Sequence, residues 1–280
     1  MKIIGEYLYF NGRFITPAQL PAPDPDDGVS IYEVIRLMNG VPLFLEMHFF
    51  RMINSAAVIR LGITPKIGDL ACNIRDLARI NGISNGNVRV NVFFPPADML
   101  NYDMLITFIP HRYPHEEEYR DGVAASGLHA ERPNPQAKIN NRPLRSKADD
   151  LIESRKVYEI LLINNHGHIT EGSRSNIFFV EDRRICTPPE SDILPGITRN
   201  MVMEICREKG FELKEEKIDY SRRHQFQSVF ITGTSPKVLP VSEIDGVHFQ
   251  PAYPLTREIM AAYDEKIENY LKNFDYDCLI

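Results

Sequence analysis

TEGSRSNIFF, residues 170–179, sets a glutamate, a glycine and three small polar side chains between two apolar runs. Taken alone the pattern is a hairpin turn with a surface acid, because Ser, Asn and Gly all favour turns. Gly172 permits a conformation or a close approach that a side chain would block. The flanking runs, 168–170 and 176–180, read as paired strands. Upstream lie a buried strand at 158–164, a helix at 143–156 that tolerates Pro143 in its first turn, and a strand at 122–130. Downstream, 197–208 reads as a helix stopping at Gly210, 229–233 as a short strand and 252–274 as a terminal helix.

The first third is organised differently. YLYFNGRF, residues 7–14, predicts two short strands around an Asn11–Gly12 turn. PAQLPAPDPDD, residues 17–27, is a loop rich in proline and acid. SIYEVIRLM, residues 30–38, has strand propensity, and Asn39–Gly40 turns it into VPLFL as a second hairpin. Residues 46–59 carry Phe49, Met52, Ile53, Ala56 and Ala57 at helical spacing, and Gly62 ends the segment. A second amphipathic helix, 67–80, stops at Asn81–Gly82; strands follow at 88–94 and 104–109. PHRYPHEEE, residues 110–118, is polar and broken by proline, which places a linker there. The expected fold class is α+β, with mixed sheets flanked by helices in two domains, 1–112 and 118–280.

The net charge of −6 supplies no basic field for nucleic acid or an anionic membrane. An anionic ligand therefore needs local basic residues. No run of apolar residues is long enough for a membrane span, and the N-terminus lacks the apolar core of a signal peptide. Cys72, Cys186, Cys206 and Cys278 stand apart, without a CxxC pair, as in a reducing compartment. The expected location is the cytoplasm. His166 and His168 flank a turn, and His111 and His115 sit in the linker. With no third ligand at recognisable spacing, no metal site is expected.

Four segments carry chemistry, and each is weak alone. EGSRSN holds a carboxylate in a turn. LPGITR, residues 194–199, breaks the chain and starts a helix at Ile197 and Thr198, whose N–H groups have no intrahelical acceptors. Such an end suits phosphate. ITGTS, residues 231–235, ends a strand in a glycine flanked by hydroxyls, which offers further donors. Arg51 lies in EMHFFRMINSA, either on the solvated face of its helix or turned inward to an anion.

In this order along the chain the segments resemble the class IV aminotransferases, which use pyridoxal 5′-phosphate (PLP). The matching stretches are YEVIR at 32–36, HFFRMINSA at 48–56, EGSRSNIF at 171–178, LPGITR at 194–199 and TGTSPKVLPV at 232–241. The resemblance spans residues 26–245 and includes branched-chain aminotransferases, D-amino acid aminotransferases and aminodeoxychorismate lyases. It implies the two-domain fold of the D-amino acid aminotransferases, with most of the PLP site in the C-terminal domain.

The resemblance also implies roles. Lys138, in AKINNRPLR and 33 residues before Glu171, forms the Schiff base and then acts as general acid/base. Lys147 is the competing lysine, nearer Glu171 and inside the expected helix. Glu171 partners the pyridine nitrogen, where a carboxylate favours the protonated ring. Arg51 binds the phosphate, with Ile197, Thr198, Thr234 and Ser235 as further phosphate donors. Tyr32 lines the substrate pocket and Arg89 binds the substrate carboxylate. Arg174 is either a second carboxylate ligand or a solvent-facing side chain. Pro143 stands where several relatives carry a tyrosine near the cofactor's phenolic oxygen, and the loop after Val92 is short, without the glycine-rich stretch of branched-chain enzymes. The implied reaction exchanges an amino group between an amino acid and a 2-oxo acid. The KINNR stretch is similar to the lyase pattern, so the lyase is the alternative. The family's active site lies at a homodimer interface, which implies a homodimer.

Overall fold

A computed structural model describes residues 2–21, 28–95 and 101–279. Residues 22–27 of the acidic loop and 96–100 of the loop after Val92 lie outside the described residues. The chain forms two compact units. The first comprises residues 1–112, 137–140 and 267–280, and the second 113–136 and 141–266. Each holds one sheet with helices, so the architecture is α+β.

The first unit runs β1 (Ile4–Phe10), β2 (Arg13–Ile15), β3 (Val29–Met38), β4 (Val41–Pro42), α1 (Leu45–Val58), α2 (Ile67–Asn81), β5 (Gly86–Phe94) and β6 (Asp103–Ile109). Its strands stand in the order β2-β1-β6-β5-β3-β4, every neighbour antiparallel. The Asn11–Gly12 turn forms as expected: both residues have positive φ, and Phe10 faces Arg13 across a two-residue loop. The second hairpin is shorter than its sequence predicts. Phe44 turns left-handed at φ +54°, and α1 begins at Leu45. The reason is a cap from far along the chain. The Tyr270 hydroxyl accepts from the Leu45 N–H at 3.1 Å and donates to Glu46 at 2.8 Å. One otherwise orphaned helix donor is thereby satisfied.

Alternation along β3 and β5 sorts the two faces. Ile31, Ile35, Leu37, Val88, Val90, Val92 and Phe94 pack into one core with α1 and α2. Tyr32 and Arg89 stand on the opposite face. The buried stripe of α1 is Leu45, His48, Phe49, Met52, Ser55 and Ala56. It is rotated from the expected one, because Ala57 is exposed and two polar residues, His48 and Ser55, turn inward. Their partners, Glu33 and the main chain of Lys138, explain the rotation. The helix ends at Val58, and the chain turns away at Arg60, left-handed at φ +60°, ahead of Gly62.

The second unit runs α3 (Glu116–Asp121), β7 (Val123–His129), α4 (Arg142–Arg155), β8 (Glu159–Ile163), β9 (His168–Gly172), β10 (Asn176–Glu181), β11 (Arg184–Thr187), α5 (Ile197–Glu208), β12 (Glu212–Glu215), β13 (Ile218–Asp219), β14 (Ser228–Gly233), β15 (Lys237–Ile244) and β16 (Val247–His248); α6 (Pro254–Asn273) follows in the chain. Part of the polar stretch read as a linker is thus the helix α3. The strand order is β12-β11-β10-β14-β15-β7-β8-β9-β13, with β16 on β15. The two strands flanking EGSRS do not pair with each other, contrary to the sequence reading. β9 pairs with β8 and β13, and β10 with β11 and β14. The turn between them is pinned from below by a buried carboxyl group, so it joins strands that take other partners. Asn141 caps α4 by accepting the Leu144 N–H at 3.2 Å, with Pro143 in the first turn.

Candidate active site

In the first unit, Lys138 is fixed by its main chain at both ends. Its N–H donates to Ser55 Oγ on α1 at 3.1 Å, and its carbonyl accepts the Tyr32 N–H at 3.0 Å. Ile139 bridges Ile31, and the Asn140 N–H reaches the Ser30 carbonyl at 3.0 Å. Residues 137–140 thus lie along the edge of β3 that the two-residue β4 leaves uncovered. Lys138 Nζ is 4.9 Å from the centre of the Tyr32 ring, and Arg89 Cζ is 4.2 Å from it. Both cations are within the range of favourable attraction to a ring face. Arg89 is further steered by its Nε, which donates to Asn91 Oδ1 at 2.8 Å. Three of the predicted residues are therefore together.

Arg51 is mostly buried, its side chain 9% exposed. It makes a bidentate pair with Glu33: Nε donates to Oε1 at 2.8 Å and Nη2 to Oε2 at 2.6 Å. His48 Nδ1 lies 2.8 Å from the same Oε2 and, facing a carboxylate, is its donor. Burial alone pushes the Glu33 carboxyl up, but Arg51 and His48 together hold it down at about 2. Burial pushes the His48 imidazole below its ordinary value of 6.5, against the pull of Glu33. The cluster thus holds one cation, one anion and a neutral imidazole.

In the second unit, Glu171 is 2% exposed near the end of β9. Its Oε1 accepts from Arg132 Nε at 2.7 Å and its Oε2 from the Leu194 N–H at 3.2 Å. The Leu194 carbonyl accepts from Asn176 Nδ2 at 2.9 Å, so EGSRSN and LPGITR are tied twice. At Gly196 a Cβ would fall 1.9 Å from Asn176 Oδ1, so only bare backbone fits there. The buried Ile197 and Thr198 then open α5 with the N–H groups that a helix start leaves for an anion. Thr198 Oγ1 is 3.3 Å from the Tyr263 hydroxyl. The turn between β14 and β15 carries Thr234 and Ser235. A Cβ at its Gly233 would sit 3.5 Å from the Arg174 carbonyl. Next to that turn, Thr232 Oγ1 is buried without a hydrogen-bond partner among the described residues. The Arg174 guanidinium, half exposed, pairs with Asp149 on α4.

Gly172 owes its place to the turn. A Cβ there would fall 2.1 Å from Ser175 Oγ and 2.9 Å from the Glu159 carboxyl group. Glu159, at the start of β8, accepts from Ser173 Oγ and Ser175 Oγ at 2.7 Å each and from the N–H groups of Ile160 and Ser173. Glu33, His48, Ser55, Arg132 and Glu159 were not singled out in the sequence. Glu33 had a signal, a charge at a core-facing position of β3, and so did Glu159, an acid opening the apolar run EILLI. Arg132 had none, because its partner lies 39 residues away.

Among the described residues, no group of three or more His, Cys, Asp or Glu is placed to hold a metal ion, and no helix is long and apolar enough to cross a membrane. Residues 30–244 match the family model described as amino-transferase class IV. The D-alanine aminotransferase of Bacillus licheniformis is 28% identical over 279 residues, 93% of this chain and 96% of that protein. The branched-chain-amino-acid aminotransferase of Escherichia coli K12 is 28% identical, over 92% of each. The T.th. branched-chain amino acid aminotransferase, solved with pyridoxamine 5′-phosphate, superposes with a TM-score of 0.84 at 25% identity, over 96% of both chains.

Proposed function

The chain belongs to the class IV aminotransferases, and from that membership we propose that it uses PLP to move an amino group between an amino acid and a 2-oxo acid. Bound PLP supplies the electron sink for removal of the substrate's α-proton. The observation that carries the reading is the fixing of Lys138 between Ser55 and Tyr32, which sets its amine beside the Tyr32 ring. Lys147, its competitor, is exposed on α4. The N–H groups at the start of α5 and the Thr232 hydroxyl, buried without a partner among the described residues, fit a phosphate-bearing ligand. A solved relative binds pyridoxamine 5′-phosphate.

In this reading Lys138 is the covalent anchor, and its Nζ takes and returns the α-proton. Glu171 holds a proton on the ring nitrogen, with Arg132 and the Leu194 N–H fixing the direction of its carboxyl group. Arg51, the Ile197 and Thr198 N–H groups, Thr234 and Ser235 bind the phosphate. Tyr32 borders the substrate and Arg89 takes its carboxylate. Two relatives of equal identity are named for D-alanine and for branched-chain amino acids, which leaves the choice of substrate and its hand to experiment. A homodimer in the cytoplasm completes the proposal; the four cysteines are free thiols, and sizing by light scattering checks the dimer.

The test is spectroscopic. Purified protein is expected to show the visible band of bound PLP, and Lys138→Ala to lose it. An amino acid from a screen of L and D forms should bleach the band, and a 2-oxo acid should restore it. A band that survives Lys138→Ala removes the anchor. Pyruvate release from aminodeoxychorismate without any half-transamination replaces the transaminase with the lyase.

A further inference from the structure

β3 turns four side chains toward the helices, Ile31, Glu33, Ile35 and Leu37, and only Glu33 among them is polar. A carboxylate in an aliphatic stripe is a large desolvation cost unless paired. Both oxygens of Glu33 are occupied, by Arg51 through two parallel bonds and by His48. From this we infer that Glu33 is a positioning residue, which aims the Arg51 guanidinium at the cofactor phosphate. The inference rests on the reading of Arg51 as a phosphate ligand.

The geometry supplies the reason. An arginine reaches an anion through a long, flexible side chain, and ordering that chain costs entropy. The bond from Nε and the bond from Nη2 hold one edge of the planar group, so the direction of the rest of the fork follows. His48 keeps Oε2 from rotating away and, being neutral, adds no second cation that would compete with Arg51 for the carboxylate. One turn on from Arg51, Ser55 holds the main chain of Lys138, and Tyr32, next to Glu33, holds its carbonyl. The same helix and the same dipeptide of β3 therefore set both the arginine and the lysine. A competing effect has the opposite sign. Glu33 is an anion near the place of another anion, so by charge alone its removal would tighten phosphate binding.

That sign decides the matter. Dissociation constants for PLP and for pyridoxal, which lacks the phosphate, are measured by equilibrium dialysis on the wild type, Glu33→Gln, Glu33→Asp, Arg51→Lys and the double variant Glu33→Gln/Arg51→Lys. Positioning predicts that Glu33→Gln weakens PLP about tenfold, the loss of one charge-assisted contact, and leaves pyridoxal unchanged. Glu33→Asp, which keeps the charge but draws the carboxylate back, weakens PLP in the same direction and serves if the glutamine variant does not fold. In the Arg51→Lys background the glutamine substitution adds nothing. Unchanged or tighter PLP binding in both Glu33 variants overturns the inference, as does an equal loss for PLP and pyridoxal. If Arg51→Lys leaves the preference for PLP over pyridoxal intact, the phosphate reading of Arg51 falls and the inference with it. If that preference is lost in Arg51→Lys but kept in the Glu33 variants, only the inference falls.

Discussion

Glu33 and Glu159 are both buried on strands, at 1% and 2% exposure, yet they are satisfied in opposite ways. Glu33 meets a guanidinium and an imidazole. Glu159 meets serine hydroxyls and backbone N–H groups of the turn 172–175, together with the N–H of Ile160 beside it. The first arrangement fixes the direction of a charge, the second the path of the main chain. A buried ion pair contributes little net stability over an apolar pair, but breaking it is costly, since the remaining charge stays unpaired. A carboxyl group among neutral donors instead distributes its effect over several bonds of about 1 kcal/mol each.

The largest effect is expected where the ion pair is broken. Glu33→Leu should destabilise the fold by about 3–5 kcal/mol in urea unfolding, and Glu33→Leu with Arg51→Met should recover most of that loss. A double variant no more stable than the single one would break the ion-pair account. Glu159→Gln should cost less, about 1–3 kcal/mol, because its amide turns a donor toward donors. It should also weaken PLP and pyridoxal together, because the turn that carries Glu171 loosens, whereas Glu33 variants should affect PLP alone. A Glu159 variant selective for PLP would erase the distinction between the two carboxylates.

Acid sharpens the comparison further. His48 has a folded-state pKa below its ordinary 6.5, so below that pH the unfolded chain binds a proton that the buried imidazole refuses. Stability therefore falls as pH drops through 6.5. Glu33, lowered from 4.5 to about 2, adds a second loss as pH falls through that interval. Urea midpoints measured from pH 8 to 5 should decline, and His48→Gln should flatten that decline. The smallest effect is expected at Ser55→Ala, which removes the acceptor of the Lys138 N–H and costs about 1 kcal/mol. The pH dependence of the visible band of bound PLP should shift with it; a band unmoved by the substitution would show that the lysine's direction is set elsewhere.

The local signals were legible because their physics is local. Asn11–Gly12 can take the positive φ angles of a two-residue turn, and Gly82 ends α2 in the left-handed region. The order of the five motifs identified the family. Periodicity scores apolar residues, whereas α1 buries His48 and Ser55 and exposes Ala57, with Ile53 half-buried against the core. Adjacency in sequence does not choose ladder partners, so the strands flanking EGSRS pair elsewhere, β9 with β8 and β10 with β14.

By itself, the sequence determined the α+β class, the family and the candidates Lys138, Arg51 and Glu171, because residue type, spacing and order are properties of the chain. Tertiary structure alone decided what those groups face. Glu33 stands 18 residues from Arg51, Arg132 stands 39 from Glu171, and Tyr270 caps a helix that begins 225 residues earlier. A charge's partner depends on which elements the packed core brings side by side. No short-range propensity encodes that choice.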